Sequence, residues 1–296
     1  MALTALYDVA APAKLNLFLH VVGRRADGYH LLQSAFVLID WADTLHFERR
    51  SDGAIARHDL GAQLPADDLC LRAARALQTE SGTTLGADIS IDKQVPWGAG
   101  MGGGSSDAAS TLLALNRLWG LNWSLQRLLV LGLKLGADVP FFLGGHNAWV
   151  EGIGEQLTPI QLPKQWLAVL KPASGIETRA IFASPLLARN TEPVIVAGFL
   201  AETGIDALVE GFGHNDLQPP AEQQCSEVAQ AARLLEARFG NSRMTGSGSA
   251  VFARAGRIND TGAPPMATLP ADLPPGWVGR MCRSLEIHPL AGWSAG

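Results

Sequence analysis

The sequence predicts strands and helices mixed along one chain and divided between two domains. Three observations carry that expectation. Over residues 87–95, Ile89, Ile91, Lys93 and Val95 share one face at period two, a strand pattern, and a glycine loop and then a helix follow directly. Strand-like stretches at 13–21, 32–38 and 44–49 come before it, and leucine-rich helical stretches come after. The composition shifts around residues 159–165, which places the boundary between domains 1–160 and 161–296.

Length and composition narrow the function. With 296 residues, 47% hydrophobic and 17% charged, the chain can bury a sizeable core and does not read as disordered. The net charge of −5 and the lack of a basic cluster argue against nucleic-acid binding. A polyanionic substrate must therefore be met by a local site rather than by an overall field. Cys70, Cys225 and Cys282 are odd in number and widely spaced, a pattern of reduced thiols rather than of disulfides or a metal site. Residues 1–11 hold no basic residue and no long apolar run, so no secretory leader is expected. The most apolar region, 128–143, is interrupted by Lys134 and Asp138 and is not expected to span a bilayer. These features together predict a cytoplasmic protein.

Taken in order, residues 13–21 alternate. Leu15, Leu17, Leu19 and Val21 face one way; Lys14, Asn16, Phe18 and His20 face the other, as in a half-buried strand. On that reading alone, Lys14 is a solvated lysine. Asp27-Gly28 then marks a turn, followed at once by Tyr29 and His30. This could be a hairpin with a packed tyrosine, or a ring and a hydrogen-bonding neighbour suited to a nucleobase. Asp67 and Asp68 open a helix reaching about residue 79, with their carboxylates at its positive end. After the glycine loop, Ala108, Leu112, Leu115 and Trp119 fall at helical spacing and Gly120 suits a C-cap. A Ser124-capped helix follows to Leu135, and Asp138 then sits at a glycine–proline turn before an apolar run. A carboxylate placed there is partly buried and needs partners. The turn 151–155 reads as structural. Residues 166–171 form a strand stopped by Pro172, and Asn215-Asp216-Leu217 precedes a helix over 221–239. A second glycine–serine turn, 243–252, enters a strand. Five prolines between 258 and 275 predict a loop or broken helix, and the last residues after His288-Pro289-Leu290 are expected to fray. There are no internal repeats.

The glycine loop carries the most chemistry. Five of the seven residues from Gly98 to Gly104 are glycine, so backbone N–H groups can approach an anion closely. The helix behind it adds unpaired N–H groups and a positive dipole end. Ser105 and Ser106 could cap that helix, contact phosphate oxygens or hold Mg²⁺. A plain turn does not need such a run. Gly98-x-Gly100-x-x-Gly103 matches a dinucleotide fingerprint, but the chain enters another helix at Ser124 instead of a second strand. The P-loop is excluded, because no lysine lies between Lys93 and Lys134.

The run from Pro96 to Ala109 resembles the ATP-binding motif of the GHMP kinases, with Met101 where leucine is usual. Its triple glycine followed by Ser105-Ser106-Asp107-Ala108-Ala109 is similar to that of the 4-diphosphocytidyl-2-C-methyl-D-erythritol kinase family. Further segments resemble that family in the same order along the chain: Pro12-x-Lys14-x-Asn16, Asp27-Gly28-Tyr29-His30, Gly136-Ala137-Asp138-Val139-Pro140, 171–182 and 243–252. The resemblance implies an α+β, two-domain GHMP kinase fold, with a ribosomal protein S5 domain 2-like N-terminal domain and a ferredoxin-like C-terminal domain. It implies transfer of the ATP γ-phosphoryl group to the 2-hydroxyl of 4-diphosphocytidyl-2-C-methyl-D-erythritol, with Mg²⁺ and without an obligate protein partner. Lys14 and Asp138 would be catalytic, Asp138 as the base. Lys93, Pro96, Gly98, Gly100, Met101, Gly102, Gly103, Gly104, Ser105 and Ser106 would bind ATP. Asp68 would also sit near the adenine, although the family usually has asparagine there. Asn16, Tyr29, His30, Thr178, Phe182, Gly246 and Ser247 would bind the cytidine substrate, with Phe182 opposite Tyr29 across the cytosine.

Overall fold

The chain opens with two long antiparallel strands, β1 (Ala5–Arg24) and β2 (His30–Arg50), joined by the Asp27-Gly28 turn. The computed structural model describes residues 3–201, 204–258, 263 and 265–294. β1 corrects the half-buried expectation: Lys14, Asn16, Phe18 and His20 are as buried as the leucines beside them. The register slips between Asn16 and Leu19, so the alternation does not run through. Leu15, Leu17 and Phe18 enter one apolar cluster, while Leu19 and Val21 enter another. The strand is thus covered on both sides.

The N-terminal half continues with β3 (Ile55–Asp59), α1 (Leu69–Ser81), β4 (Gly86–Asp92), α2 (Gly103–Leu118), α3 (Leu125–Leu135), α4 (Val139–Gly144), β5 (Ala148–Glu151) and β6 (Gln156–Pro159). β3 and β4 pair in parallel across the α1 crossover, and β4 pairs antiparallel with β2. Asp68 caps α1 by accepting from the Leu71 amide at 3.0 Å. α2 begins at Gly103, earlier than its apolar spacing suggests, with left-handed Gly102 as N-cap. Ser105 and Ser106 therefore lie inside its first turn and do not cap it. Leu112, Leu115 and Leu128 pack with Phe47, Ile89 and Ile91, so the helices cover one face of the sheet. β4 stops at Asp92, which leaves Lys93 and Val95 beyond the strand expected to hold them.

The C-terminal half comprises β7 (Gln165–Lys171), α5 (Thr178–Ala183), α6 (Val196–Ala201), α7 (Gly204–Glu210), α8 (Gln218–Gln224), α9 (Ser226–Phe239), β8 (Arg243–Met244), β9 (Val251–Arg257) and β10 (Val278–Leu285). Its strands lie in the spatial order β10-β7-β9-β8, the ferredoxin-like arrangement. Val228, Ala231 and Leu235 of α9 pack on Ala168, Leu170 and Val251. The single helix expected over 221–239 is interrupted at Cys225, whose backbone is extended. Between β9 and β10 the described residues form no helix, as the prolines require; residues 259–262 and 264 of that stretch lie outside the described residues. β10 also pairs with β2 through Ser284 and Leu285, so the two halves share one sheet. The chain then returns to the N-terminal half, where the His288 amide donates to Gly145 O at 2.8 Å and Leu290 is buried. Residues 295–296, expected to fray, lie outside the described residues. No helix among the described residues is long and apolar enough to cross a membrane.

Candidate active site

The glycine loop lies between β4 and α2, against the second half of the molecule. Gly98, Gly100 and Gly102 have φ of 58°, 71° and 71°, and the residues between them do not share that hand. Alternating backbone hands turn successive N–H groups to one side and make an anion-binding nest. The contact across the cleft is close: a Cβ on Gly100 would lie 2.2 Å from Thr245 O. The Ser249 and Ala250 amides donate to Gly98 O and Ala99 O at 3.0 and 3.2 Å, which ties the second glycine–serine turn to the first loop. The loop borders a cavity of about 570 Å³, lined also by Asp68, Leu69, Lys93, Trp97, Ser105 and Asp107.

Lys93 stands beside this loop with its ammonium already held by two carboxylates. Its Nζ donates to Asp43 Oδ2 and, at 2.5 Å, to Asp107 Oδ2. Asp43 Oδ1 also accepts from the Gln94 and Val95 amides at 2.6 and 2.7 Å, so it fixes the entry to the loop. Burial raises the Asp107 pKa, and the Lys93 charge opposes that shift. Asp107 Oδ1 is buried and has no hydrogen-bond partner. Ser106 is buried and donates to Pro12 O at 2.7 Å, which pins α2 to β1; the Ser105 side chain borders the cavity. Asp68 accepts from Arg57 at 2.8 Å as well as capping α1, so a carboxylate at this position has a local partner.

The expected catalytic pair is assembled. Lys14 Nζ lies 3.6 Å from Asp138 Oδ2, donates to Asn16 Oδ1 at 2.6 Å and sits 4.4 Å over the Phe36 ring. Burial lowers the Lys14 pKa, and Asp138 opposes that shift. Asp138 precedes α4, makes no capping bond there, and its side chain is 31% exposed toward the cleft. Asn16 Oδ1 accepts also from the Gly246 amide at 3.0 Å, and its Nδ2 donates to Ser34 Oγ at 2.9 Å. One Nδ2 hydrogen is left for a substrate. Lys14, Asn16, Asp138, Thr178, Ser247 and Gly246 line a cavity of about 130 Å³. Thr178 Oγ1 and Ser247 Oγ, both from the C-terminal half, are 2.7 Å apart.

Beyond this lies a wider cavity of about 800 Å³, bordered by Tyr29, His30, Ile153 and Phe182. Tyr29 is 60% exposed, and the ring stacked on Phe182 is that of His30, at 4.9 Å and 24°. Burial and the charges of Arg24 and Arg189 lower the His30 pKa, so its imidazole is neutral near pH 7. Sequence reasoning missed several contributors. Asp43 carried no local signal. Asn215, noted only as preceding a helix, donates to Met244 O and Gly246 O at 2.7 and 2.9 Å and holds the second turn in place. Ile153, read as part of a structural turn, borders both the small and the wide cavity.

Fold and site define a GHMP kinase. The family model described as "GHMP kinases N terminal domain" matches residues 68–146, and that described as "GHMP kinases C terminal" matches 200–260. The chain is 69% identical to the 4-diphosphocytidyl-2-C-methyl-D-erythritol kinase of Methylibium petroleiphilum over 99% of its own length and 100% of that protein's. It is 57% identical to the kinase of the same name from Albidiferax ferrireducens, covering 98% of this chain and 96% of that one. The crystal structure of a 4-(cytidine 5'-diphospho)-2C-methyl-D-erythritol kinase superposes with a TM-score of 0.72 at 35% identity, over 86% of this chain and 91% of that chain. A mevalonate kinase structure at 14% identity shares the fold, with a TM-score of 0.62 over 94% of this chain and 99% of that one. The chain belongs to the 4-diphosphocytidyl-2-C-methyl-D-erythritol kinase family.

Proposed function

We propose that this chain transfers the γ-phosphoryl group of ATP to the 2-hydroxyl of 4-diphosphocytidyl-2-C-methyl-D-erythritol, giving the 2-phosphate and ADP. One observation carries the reading: the small cavity around Lys14 and Asp138 adjoins both a phosphate cradle and a ring-lined pocket. Thr178 lines both the small cavity and the glycine-loop cavity, while Leu32, Ile153 and Phe182 line both the small cavity and the wide one. A nucleotide on the loop and a cytidine on the rings would thus meet at Lys14 and Asp138. The cleft falls between the proposed domains 1–160 and 161–296.

Phosphoryl transfer needs alignment and charge neutralisation more than covalent chemistry. Holding hydroxyl and phosphorus in line is worth about 7–11 kcal/mol. A general base adds about 10²–10⁴-fold. Asp138 takes the hydroxyl proton as the new O–P bond forms. Lys14, fixed by Asn16 and partly desolvated, presents positive charge to the transferring group. The loop amides hold the nucleotide phosphates. Tyr29, His30 and Phe182 grip the cytosine, with His30 neutral and able both to donate and to accept. The donor set suits Mg²⁺: Ser105 and Asp107 are hard oxygen donors at the phosphate cavity, and Mg²⁺ usually takes only one or two carboxylates. When bound, it would neutralise phosphate charge. Three free thiols, two of them buried, fit a cytoplasmic enzyme.

A coupled ADP-release assay with ATP and Mg²⁺, run separately on the cytidine substrate, homoserine and mevalonate, tests the reading. Release with the cytidine substrate alone is expected. Release only with another alcohol would overturn the substrate while keeping the fold.

A further inference from the structure

The proposed substrate carries a diphosphate between its cytidine and its methylerythritol, and the catalytic pair does not answer that charge. Lys14 is engaged with Asn16 and Asp138, and the net charge of −5 provides no general attraction. The countercharge must come from other groups around the ring-lined cavity. Arg24 and Arg179 both line that wider cavity and are both exposed.

Among the described residues, neither guanidinium is paired with a carboxylate. Arg24 ends β1, opposite His30 in register, and its Nε donates to Gly28 O at 3.0 Å. That bond fixes the side chain against the Asp27-Gly28 turn and leaves both Nη groups free among the described residues. Arg179 follows Thr178 on α5, one turn ahead of Phe182, and makes no hydrogen bond or ion pair among the described residues. The other charged side chains nearby already have their hydrogen-bonding groups engaged. Asp27 is paired with Arg25 at 2.7 Å and also accepts from the Tyr29 amide at 3.2 Å. Arg189 donates to Leu187 O, Phe182 O and Ser184 O at 3.2, 3.1 and 2.8 Å. Two free arginines thus border a pocket whose ring-bearing residues, Tyr29 and Phe182, sit a few positions away from them. Planar guanidinium groups match phosphate oxygens two at a time.

We infer that Arg24 and Arg179 bind the diphosphate of the cytidine substrate and so set the preference for a nucleoside diphosphate over a bare nucleoside. The inference rests on the cytidine reading above and adds to it the residues that read the charge.

The test is calorimetric binding of cytidine and of CDP to the full chain. The proteins compared are wild type, Arg24→Gln, Arg179→Gln, the double variant and, as a control, Arg25→Gln. Wild type is expected to bind CDP at least about tenfold more tightly than cytidine, the scale of a charged hydrogen bond at a partly wet rim. The double variant is expected to lose most of that ratio with cytidine affinity unchanged, whereas Arg25→Gln keeps it. Should Arg24→Gln weaken cytidine as well, through the turn it braces, Arg179→Gln alone carries the test. An undiminished ratio in the double variant, or an equal loss in Arg25→Gln, overturns the inference and leaves the proposed function standing. Binding of neither ligand to wild type overturns both.

Discussion

At the scale of the residue, the site is a matter of which polar groups are already matched. Lys14 was visible as the odd charge on an alternating strand, and the family motif marked it. Its burial was not visible, because the register slip after Asn16 and the covering second half are tertiary facts. Asn16 was expected to touch substrate. It also steadies Lys14 and joins it to the Gly246 amide, a contact 230 residues away along the chain. Asp68 departs from the usual asparagine, and Arg57 explains it locally, which the sequence could not show because Arg57 lies on another element. Asp138 keeps the exposure and the lysine neighbour that a base requires. Asp138→Asn is therefore expected to bind ATP and the cytidine substrate with affinities near wild type while turnover falls about 10²–10⁴-fold. Single-turnover kinetics would check this, and turnover close to wild type would remove Asp138 from the role.

At the scale of the element, strand, glycine loop and helix were legible in order, since period two, a run without Cβ atoms and period 3.6 are each local signals. The start of α2 is not, because a glycine run carries no helical signal, whereas Gly103 and Gly104 join the helix. A Cβ on Gly103 would meet Val95 at 3.0 Å and Lys93 at 3.2 Å, so packing suits the bare residue there. The approach of the two glycine turns was equally out of reach of local reasoning. It makes a distinct prediction for Gly100, whose φ is left-handed and whose Cβ would strike Thr245 O. Gly120 is left-handed too, but a Cβ there meets nothing within 4 Å. Gly120→Ala should cost only the left-handed strain of about 1–2 kcal/mol. Gly100→Ala should lower the melting temperature further and raise the Michaelis constant for ATP about tenfold or more, because the loop amides shift. Scanning calorimetry and steady-state kinetics on both variants would decide it; identical behaviour would mean that the two turns do not depend on one another.

At the scale of the whole molecule, the ferredoxin-like strand order of the C-terminal half agrees with what the resemblance implied. The sheet shared through β10 and β2, and the return of the chain to Gly145 and Leu290, were not legible, since strand pairing between distant segments leaves no periodic trace. These long-range ties set the loop nest, the Lys14–Asp138 pair and the ring-lined pocket beside one another. The proposed function requires that one of the three hydroxyls on the methylerythritol part, the 2-hydroxyl, be the acceptor. Phosphorus NMR of the reaction product measures the choice directly. The 2-carbon carries a methyl group and no hydrogen, so a phosphate ester formed there has no three-bond coupling to a proton. A new phosphomonoester singlet in the proton-coupled spectrum is the expected result. A doublet or triplet, from esterification of the secondary or primary hydroxyl, would contradict the placement of the 2-hydroxyl between Lys14 and Asp138.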